Sequence, residues 1–102
     1  MRILVTGSSG FIGRYLAEVL RQKKHTVIEF SKSKGEDITH PTSIAAKMKN
    51  VDIIIHAAAE LDEEKGKEAI YATNVQGTRN LLEAAEKAHV HQFIFISSVG
   101  IY

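Results

Sequence analysis

The sequence contains no cysteine, one proline and a net charge of only +1 in 102 residues. The absence of cysteine excludes disulfides and thiolate chemistry within the chain, and it fits a reducing cytosol. The small net charge gives no reason to expect nucleic acid or an anionic membrane as a partner. No apolar run approaches the roughly 20 residues of a membrane span, so we expect no membrane contact.

The N-terminus also lacks the features of a signal peptide, because Met1-Arg2-Ile3-Leu4 enters a predicted strand at once. We therefore expect a cytoplasmic protein. The length allows one small domain over residues 1–102, and 44% hydrophobic and 25% charged residues are ordinary values for a soluble globular protein. We assign no metal site.

A glycine-rich stretch, Val5-Thr6-Gly7-Ser8-Ser9-Gly10-Phe11-Ile12-Gly13, lies between an apolar run and a helix-period pattern. Glycine permits a sharp turn and the close approach of an anion, and a helix N-terminus offers unpaired N–H groups with partial positive charge. The stretch therefore predicts a phosphate site. Its spacing differs from the dinucleotide fingerprint G-x-G-x-x-G, because the first interval is one residue longer. The alternative is a structural turn.

Strands and helices alternate along the rest of the chain. The continuous apolar character of the strands is typical of parallel strands that are covered on both faces. Periodicity, turn residues and Pro41 predict the following elements: strands over 2–6, 26–30, 51–56 and 92–97, and helices over 11–22, from 41 past Met48, and 69–88.

The order β-α-β-α-β-α-β predicts an α/β fold with parallel strands and right-handed crossovers. With a glycine-rich first turn it is the nucleotide-binding half of a Rossmann-like doubly wound parallel sheet, incomplete, with strand order 3-2-1-4. In that order the ligand crevice lies between the ends of the first and fourth strands. The glycine turn and Ser97-Ser98 then face each other across it.

Five segments resemble the extended short-chain dehydrogenase/reductase family, which comprises nucleotide-sugar epimerases, dehydratases and reductases. The family patterns T-G-x-x-G-x-I-G, D-[ILV], H-x-A-A, N-V-x-G-T-x-N-L-L and S-S-x-x-x-Y are matched in order. They fall at Thr6–Gly13, Asp37-Ile38, His56–Ala59, Asn74–Leu82 and Ser97–Tyr102. The resemblance covers the whole chain, but only about the first third of a family member.

The resemblance implies a nicotinamide dinucleotide as cofactor. Main-chain N–H groups of Gly7, Ser9, Gly10, Phe11 and Ile12 are then expected at the diphosphate, and Gly13 allows close packing of the helix. The family's ribose-binding aspartate position falls on Ser31, with Lys32 and Lys34 nearby. A hydroxyl and ammonium groups suit a 2′-phosphate, so NADP is favoured over NAD. The alternative is that the lysines are solvated turn residues.

Further cofactor contacts are implied at Asp37 and Ile38 for the adenine, at Ala57, Ala58 and Ala59 under the cofactor, and at Asn74 near it. Each has a structural alternative. Asp37 and Ile38 also suit a turn before the short helix, and Asn74 also suits an ordinary polar helix position. His56 is interpreted as a packed histidine at a strand end and not as a catalytic group.

Ser98 matches the catalytic serine or threonine that positions the substrate oxygen in this family, with Ser97 as its neighbour and competitor. The family's general acid/base is a tyrosine followed four residues later by a lysine, which stabilises the phenolate. Here Tyr15 is followed at that distance by Val19 and Tyr71 by Val75, and Tyr102 is the last residue. We therefore expect a cofactor-binding fragment that does not catalyse hydride transfer by itself.

The function implied is that of an NAD(P)-dependent oxidoreductase, epimerase or dehydratase acting on a small molecule, a nucleotide-sugar. Two alternatives stay open. One is a non-catalytic dinucleotide-binding or sensor protein of the same superfamily; the other is a reductase resembling dTDP-4-dehydrorhamnose reductase or the steroid and flavonoid reductases. Family dimers pair through helices, one of which corresponds to the helix at 69–88, so the resemblance implies a homodimer.

Overall fold

The computed structural model of the chain describes residues 1–8, 11–31, 35–57, 68 and 72–96. Four parallel strands form one sheet, with helices on both of its faces. The predicted α/β fold is confirmed. The elements are β1 (Arg2–Thr6), α1 (Phe11–Gln22), β2 (Thr26–Phe30), α2 (Pro41–Ala45), β3 (Ile53–His56), a π-helical segment (Ala72–Gln76), α3 (Gly77–Lys87) and β4 (Gln92–Phe95).

Side chains of alternate residues in the strands build two apolar layers. On one face Leu4 and Ile54 pack with Leu81 of α3 and Ile44 of α2. On the other face Ile3, Val5 and Ile55 pack with Leu16 and Leu20 of α1. Burial on both faces explains why the central strands β1 and β3 are apolar over successive residues instead of alternating.

The strand order is β2-β1-β3-β4, so the predicted order 3-2-1-4 was wrong. The prediction placed the third strand of the sequence outside β2. Instead, the chain after β2 forms turns over 35–40 and then α2, and β3 pairs with the other edge of β1, with Ile3 opposite Ile53 and Thr6 opposite His56. The connection from β2 thus passes over β1, because α2 packs on the face that carries Leu4 and Ile54.

This order moves the crevice. It opens between the carboxyl ends of β1 and β3. At this point the connection from β1 runs toward one edge of the sheet, to β2, and the connection from β3 runs toward the other edge, to β4. In the sheet, β3 lies between β1 and β4. The strand order therefore does not support the expectation that the glycine turn and Ser97-Ser98 face each other across one crevice. Ser97 and Ser98 themselves lie outside the described residues.

The predicted bounds of α1 and β2 are confirmed, whereas β3 and β4 are shorter than predicted. The long helix predicted over 69–88 is divided: a π-helical segment precedes α3, which starts at Gly77. A Cβ at Gly77 would collide with the side chain of Ile38, so this glycine allows the start of α3 to approach the segment after β2. In the part of the chain that the structure describes, no helix is long and apolar enough to cross a membrane.

Candidate cofactor-binding site

The glycine turn connects β1 to α1 at the carboxyl edge of the sheet. Gly7 has φ 69°, in the left-handed region that glycine adopts without strain. Its N–H donates to the carbonyl oxygen of Phe30 at 2.8 Å, which joins the turn to the end of β2. A Cβ at Gly13 would overlap the carbonyl oxygen of Gly7, so the first turn of α1 requires a glycine there.

The N-terminal turn of α1 supplies the amides that were predicted to face an anion. Phe11 is the first helical residue, and Ile12 follows with 38% of its surface exposed. The first N–H groups of a helix have no partner within that helix. Ser9 and Gly10 lie outside the described residues, so their predicted roles stay predictions.

Ser8 is a residue that the sequence argument missed. Its side chain is buried at 3% exposure, and its hydroxyl has no hydrogen-bond partner within the described residues. A buried hydroxyl without a partner is costly and is expected to have a function or a missing partner. The sequence signal for a role of Ser8 was its position between Gly7 and Gly10. Ser9 shares that position, so the spacing could not show which of the two serines has the buried hydroxyl.

Thr6 and His56 close the crevice between β1 and β3. The Thr6 Oγ1 lies 2.7 Å from His56 Nδ1 and accepts the N–H of Ala57 at 3.0 Å. On the other side of the ring, His56 Nε2 lies 3.0 Å from Thr78 Oγ1, and that hydroxyl donates to the carbonyl oxygen of Asn74 at 2.5 Å. Since the Thr78 proton is committed to Asn74, Thr78 accepts from Nε2–H, and Nδ1 accepts from Thr6.

This chain of hydrogen bonds needs a neutral imidazole. Burial lowers the pKa of His56 from 6.5 to about 4, because the charged form is poorly solvated there. The rings of Phe93 and Phe95 lie with their centroids 6.1 and 5.3 Å from the imidazole. His56 is thus a packed histidine at a strand end, as predicted, and the Thr6 hydroxyl that is bonded to it also holds the backbone N–H of Ala57. Ala58 and Ala59 lie outside the described residues.

The end of β2 is richer in charge than the sequence argument assumed. Glu29, an acidic residue within β2, pairs with Arg21 of α1 at 2.7 Å, so its carboxylate is held by a cation on that helix. Ser31 is 2% exposed, and its N–H donates to the Glu36 carboxylate at 3.0 Å. Glu36 was not considered from the sequence, because it lies five positions after Ser31. Lys32 lies outside the described residues.

Asp37 and Ile38 form the turn before α2 that was their structural alternative, and their predicted contact with the adenine stays a prediction. Asp37 Oδ1 accepts the N–H of Thr39 at 2.8 Å and its hydroxyl at 2.7 Å, which closes a turn before α2. Ile38 is buried in the core, and its carbonyl oxygen accepts from Asn80 Nδ2 at 2.9 Å. The turn geometry uses one carboxylate oxygen of Asp37 and leaves the side chain of Ile38 in the core.

Asn74 lies in the π-helical segment, and its carbonyl oxygen accepts from Thr78, the residue that also contacts His56. Together with Leu82 and Phe95 it lines an open cavity of ≈ 430 Å³ between α3 and β4. The predicted catalytic Ser98 lies outside the described residues, so its position relative to this cavity stays a prediction.

Comparison with known proteins identifies the family. Residues 3–102 match the model of the NAD dependent epimerase/dehydratase family. The chain belongs to this family.

Two enzymes that are similar to this chain act on different classes of substrate. The chain is 31% identical to a 3-beta-hydroxysteroid dehydrogenase of Mycolicibacterium neoaurum over 98% of its own length and 32% of that enzyme. It is 33% identical to the UDP-glucose 4-epimerase of Vibrio cholerae over 97% of its length and 35% of the epimerase.

Among solved structures, a short-chain dehydrogenase/reductase superfamily protein from Agrobacterium tumefaciens with bound NAD is 32% identical, with a TM-score of 0.87 over 96% of this chain and 33% of that chain. The chain therefore spans about a third of the length of these relatives.

The residues of this epimerase/dehydratase family member fit a dinucleotide. The left-handed Gly7 and the missing Cβ at Gly13 leave the turn open to a diphosphate, as a bulkier residue at either position would not. The hydroxyl of Ser8 is a buried donor that has no acceptor in the part of the chain that the structure describes. The described part of the chain thus contains a cradle with the chemistry of a diphosphate site.

Proposed function

We propose that the chain is the cofactor-binding portion of an NAD(P)-dependent oxidoreductase, epimerase or dehydratase that acts on a nucleotide-sugar. The observation that supports this most strongly is the glycine turn: a left-handed Gly7 and a Cβ-free Gly13 lie directly before and within the first turn of α1. When bound, the cofactor supplies a nicotinamide ring that exchanges a hydride with the substrate. The chain's own residues bind and orient it.

The proposed contacts follow the family motifs. Gly7, Ser9, Gly10, Phe11 and Ile12 hold the diphosphate through main-chain N–H groups. Ala57, whose N–H is held by Thr6, and its neighbours Ala58 and Ala59 lie under the cofactor. Ser31, Lys32, Asp37, Ile38 and Asn74 complete the proposed cofactor set, and Ser98 positions the substrate oxygen.

NADP is the proposed cofactor, with NAD as the alternative. At the end of β2 the acid that would accept the 2′-hydroxyl is replaced by Ser31, and the carboxylate of Glu29 is paired with Arg21. The similar Agrobacterium tumefaciens protein has bound NAD, so the preference has to be measured on this chain.

Calorimetric titration of the chain with NADP and with NAD tests the proposal. We expect saturable binding of both, stronger for NADP, and loss of binding in Gly13→Ala, while Gly35→Ala in an open turn binds as the unchanged chain does. Stronger binding of NAD would overturn the NADP preference. No binding of either dinucleotide would overturn the proposed function.

The substrate has a second candidate, a steroid, because the chain is nearly as similar to a 3-beta-hydroxysteroid dehydrogenase, at 31% identity, as to a UDP-glucose 4-epimerase, at 33%. Two assays of a longer protein that carries this chain separate the two: conversion of UDP-glucose to its 4-epimer, which leaves the cofactor unchanged overall, and net cofactor reduction with a 3β-hydroxysteroid. A non-catalytic protein would show neither activity.

The 102-residue chain alone is expected to bind cofactor without turnover, because none of its three tyrosines precedes a lysine by four residues. Turnover by the chain alone would contradict this expectation. We also propose a cytoplasmic location and a homodimer through the α3 face, where Leu82 is 48% exposed. Sedimentation of the unchanged chain and of Leu82→Glu tests the dimer, which the variant should dissociate.

A further inference from the structure

Glu36 closes the loop that follows β2 through two hydrogen bonds with Ser31. Its backbone N–H donates to the Ser31 carbonyl oxygen at 3.2 Å, and its carboxylate accepts the Ser31 N–H at 3.0 Å. The side chain is only 15% exposed. A carboxylate is therefore fixed at the carboxyl end of β2, although the residue that directly follows the strand, Ser31, carries no charge.

Lys47 neutralises this carboxylate. Its Nζ lies 2.7 Å from Glu36 Oε2 and donates to the Glu29 carbonyl oxygen at 3.1 Å. Lys47 follows α2, so the ion pair joins the segment after α2 to the end of β2. With the side chains 15% and 35% exposed, the pair is screened by solvent less than an ordinary surface pair.

The pair lies where a dinucleotide presents its adenosine ribose. The end of β2 is bonded to the glycine turn through the Gly7 N–H and the Phe30 carbonyl oxygen, 2.8 Å apart. In doubly wound folds the group at this strand end meets the 2′ position of the ribose, and a carboxylate there favours a hydroxyl over a phosphate. The net charge of Glu36 and its partner therefore bears on which cofactor is accepted.

We propose that the Glu36–Lys47 ion pair sets the discrimination between a 2′-hydroxyl and a 2′-phosphate. Lys47 cancels the charge of Glu36 and so permits a 2′-phosphate; without Lys47, the carboxylate repels it. This inference rests on the proposed dinucleotide-binding function and names the residues that set its cofactor preference.

The test uses two probes that carry only the adenosine half of a dinucleotide: adenosine 2′,5′-bisphosphate and adenosine 5′-monophosphate. Their dissociation constants are measured by calorimetry for the unchanged chain and for Lys47→Met, Glu36→Gln and the double variant. Lys49→Met, an exposed lysine two residues further on, is the matched control. Gln at 36 keeps an oxygen that accepts the Ser31 N–H, so the loop closure is retained.

We expect Lys47→Met to weaken binding of the bisphosphate about tenfold, the scale of one uncompensated charge at a partly exposed site. The monophosphate should change less than about twofold, since it has no charge at the 2′ position. Glu36→Gln should strengthen the bisphosphate selectively, and the double variant should restore the selectivity that Lys47→Met loses. The control should match the unchanged chain.

Equal loss of both probes in Lys47→Met would overturn the inference, because it would mean a purely structural role. Unchanged selectivity in both single variants would overturn it as well. If the unchanged chain binds neither probe, the proposed dinucleotide-binding function fails, and this result is distinct from a loss of selectivity with binding intact. Circular dichroism of each variant reports whether the fold is kept.

Discussion

The hydroxyl of Thr6 lies 2.7 Å from the Nδ1 of His56, which is its register partner on the adjacent strand. The pair joins β1 and β3 at the edge where the crevice opens, and the same hydroxyl accepts the N–H of Ala57. The two strand ends are thus held together by buried polar groups instead of apolar contacts alone. We predict that this pair contributes to the free energy of unfolding and makes that free energy depend on pH.

Thr6→Val removes the hydroxyl while keeping the size of the side chain. It leaves His56 Nδ1 and the Ala57 N–H without that partner in a buried site, so we expect a loss of about 3 kcal/mol in the free energy of unfolding. Thr6→Ser keeps the hydroxyl and should cost only about 1 kcal/mol for the lost methyl group. Urea unfolding followed by circular dichroism measures both; equal stabilities would contradict the assignment.

Stability should fall as the pH falls from about 6.5 to about 4. The pKa of His56 is lowered to about 4 in the folded chain, so the unfolded chain binds more protons in this window. Stability is complete above the unfolded pKa and is lost toward the folded one, by about 3 kcal/mol at most. Unfolding of His56→Asn should lose this pH dependence, whereas His91→Asn, at an exposed histidine, should keep it.

Gly13→Ala and Gly35→Ala separate a steric requirement from a conformational one. A Cβ at position 13 would overlap the Gly7 carbonyl oxygen, whereas a Cβ at position 35 meets no atom within 4 Å but has φ 81°. We expect Gly35→Ala to cost about 1 kcal/mol in unfolding free energy. Gly13→Ala should cost several times more, on the order of 3 kcal/mol, because backbone must shift. Similar costs would contradict the close approach.

Ser8→Ala should have opposite effects on stability and on cofactor binding. The buried hydroxyl of Ser8 has no partner among the described residues, so its removal is expected to stabilise the cofactor-free chain by about 1 kcal/mol. The same change should weaken NADP binding about fivefold if the hydroxyl donates to the cofactor. Ser43→Ala on α2 is the control for binding. Parallel losses of stability and affinity would contradict the role of Ser8.

Local features of the fold were accessible from the sequence. The bounds of α1 and β2 follow from an apolar period ended by polar residues, and these bounds are confirmed. The order of the strands was not accessible in the same way, because a run such as Ile53–Ile55 is equally apolar whichever edge of β1 it pairs with. An order transferred from a general pattern therefore placed β3 on the wrong side.

The candidate site also has features that the sequence could predict and contacts that it could not. Gly7 and Gly13 are evident because a left-handed turn and a close approach both require glycine. The contacts of Glu36 with Ser31 and Lys47 cross between segments, and no periodicity reports them. For Asp37, a motif match could not separate a ligand contact from a turn, since the same carboxylate serves either purpose.

The most direct test of the account is an amide chemical-shift titration of the isotope-labelled chain with NADP. The account predicts saturable shifts at Gly7, Ser8, Phe11 to Gly13 and Ala57, where the carboxyl edge of the sheet meets the first turn of α1. Shifts at Ser31 and Glu36 should be larger with NADP than with NAD. The absence of saturable shifts, or shifts confined to the groove between α2 and α3 that Ala45, Met48 and Ala84 line, would contradict it.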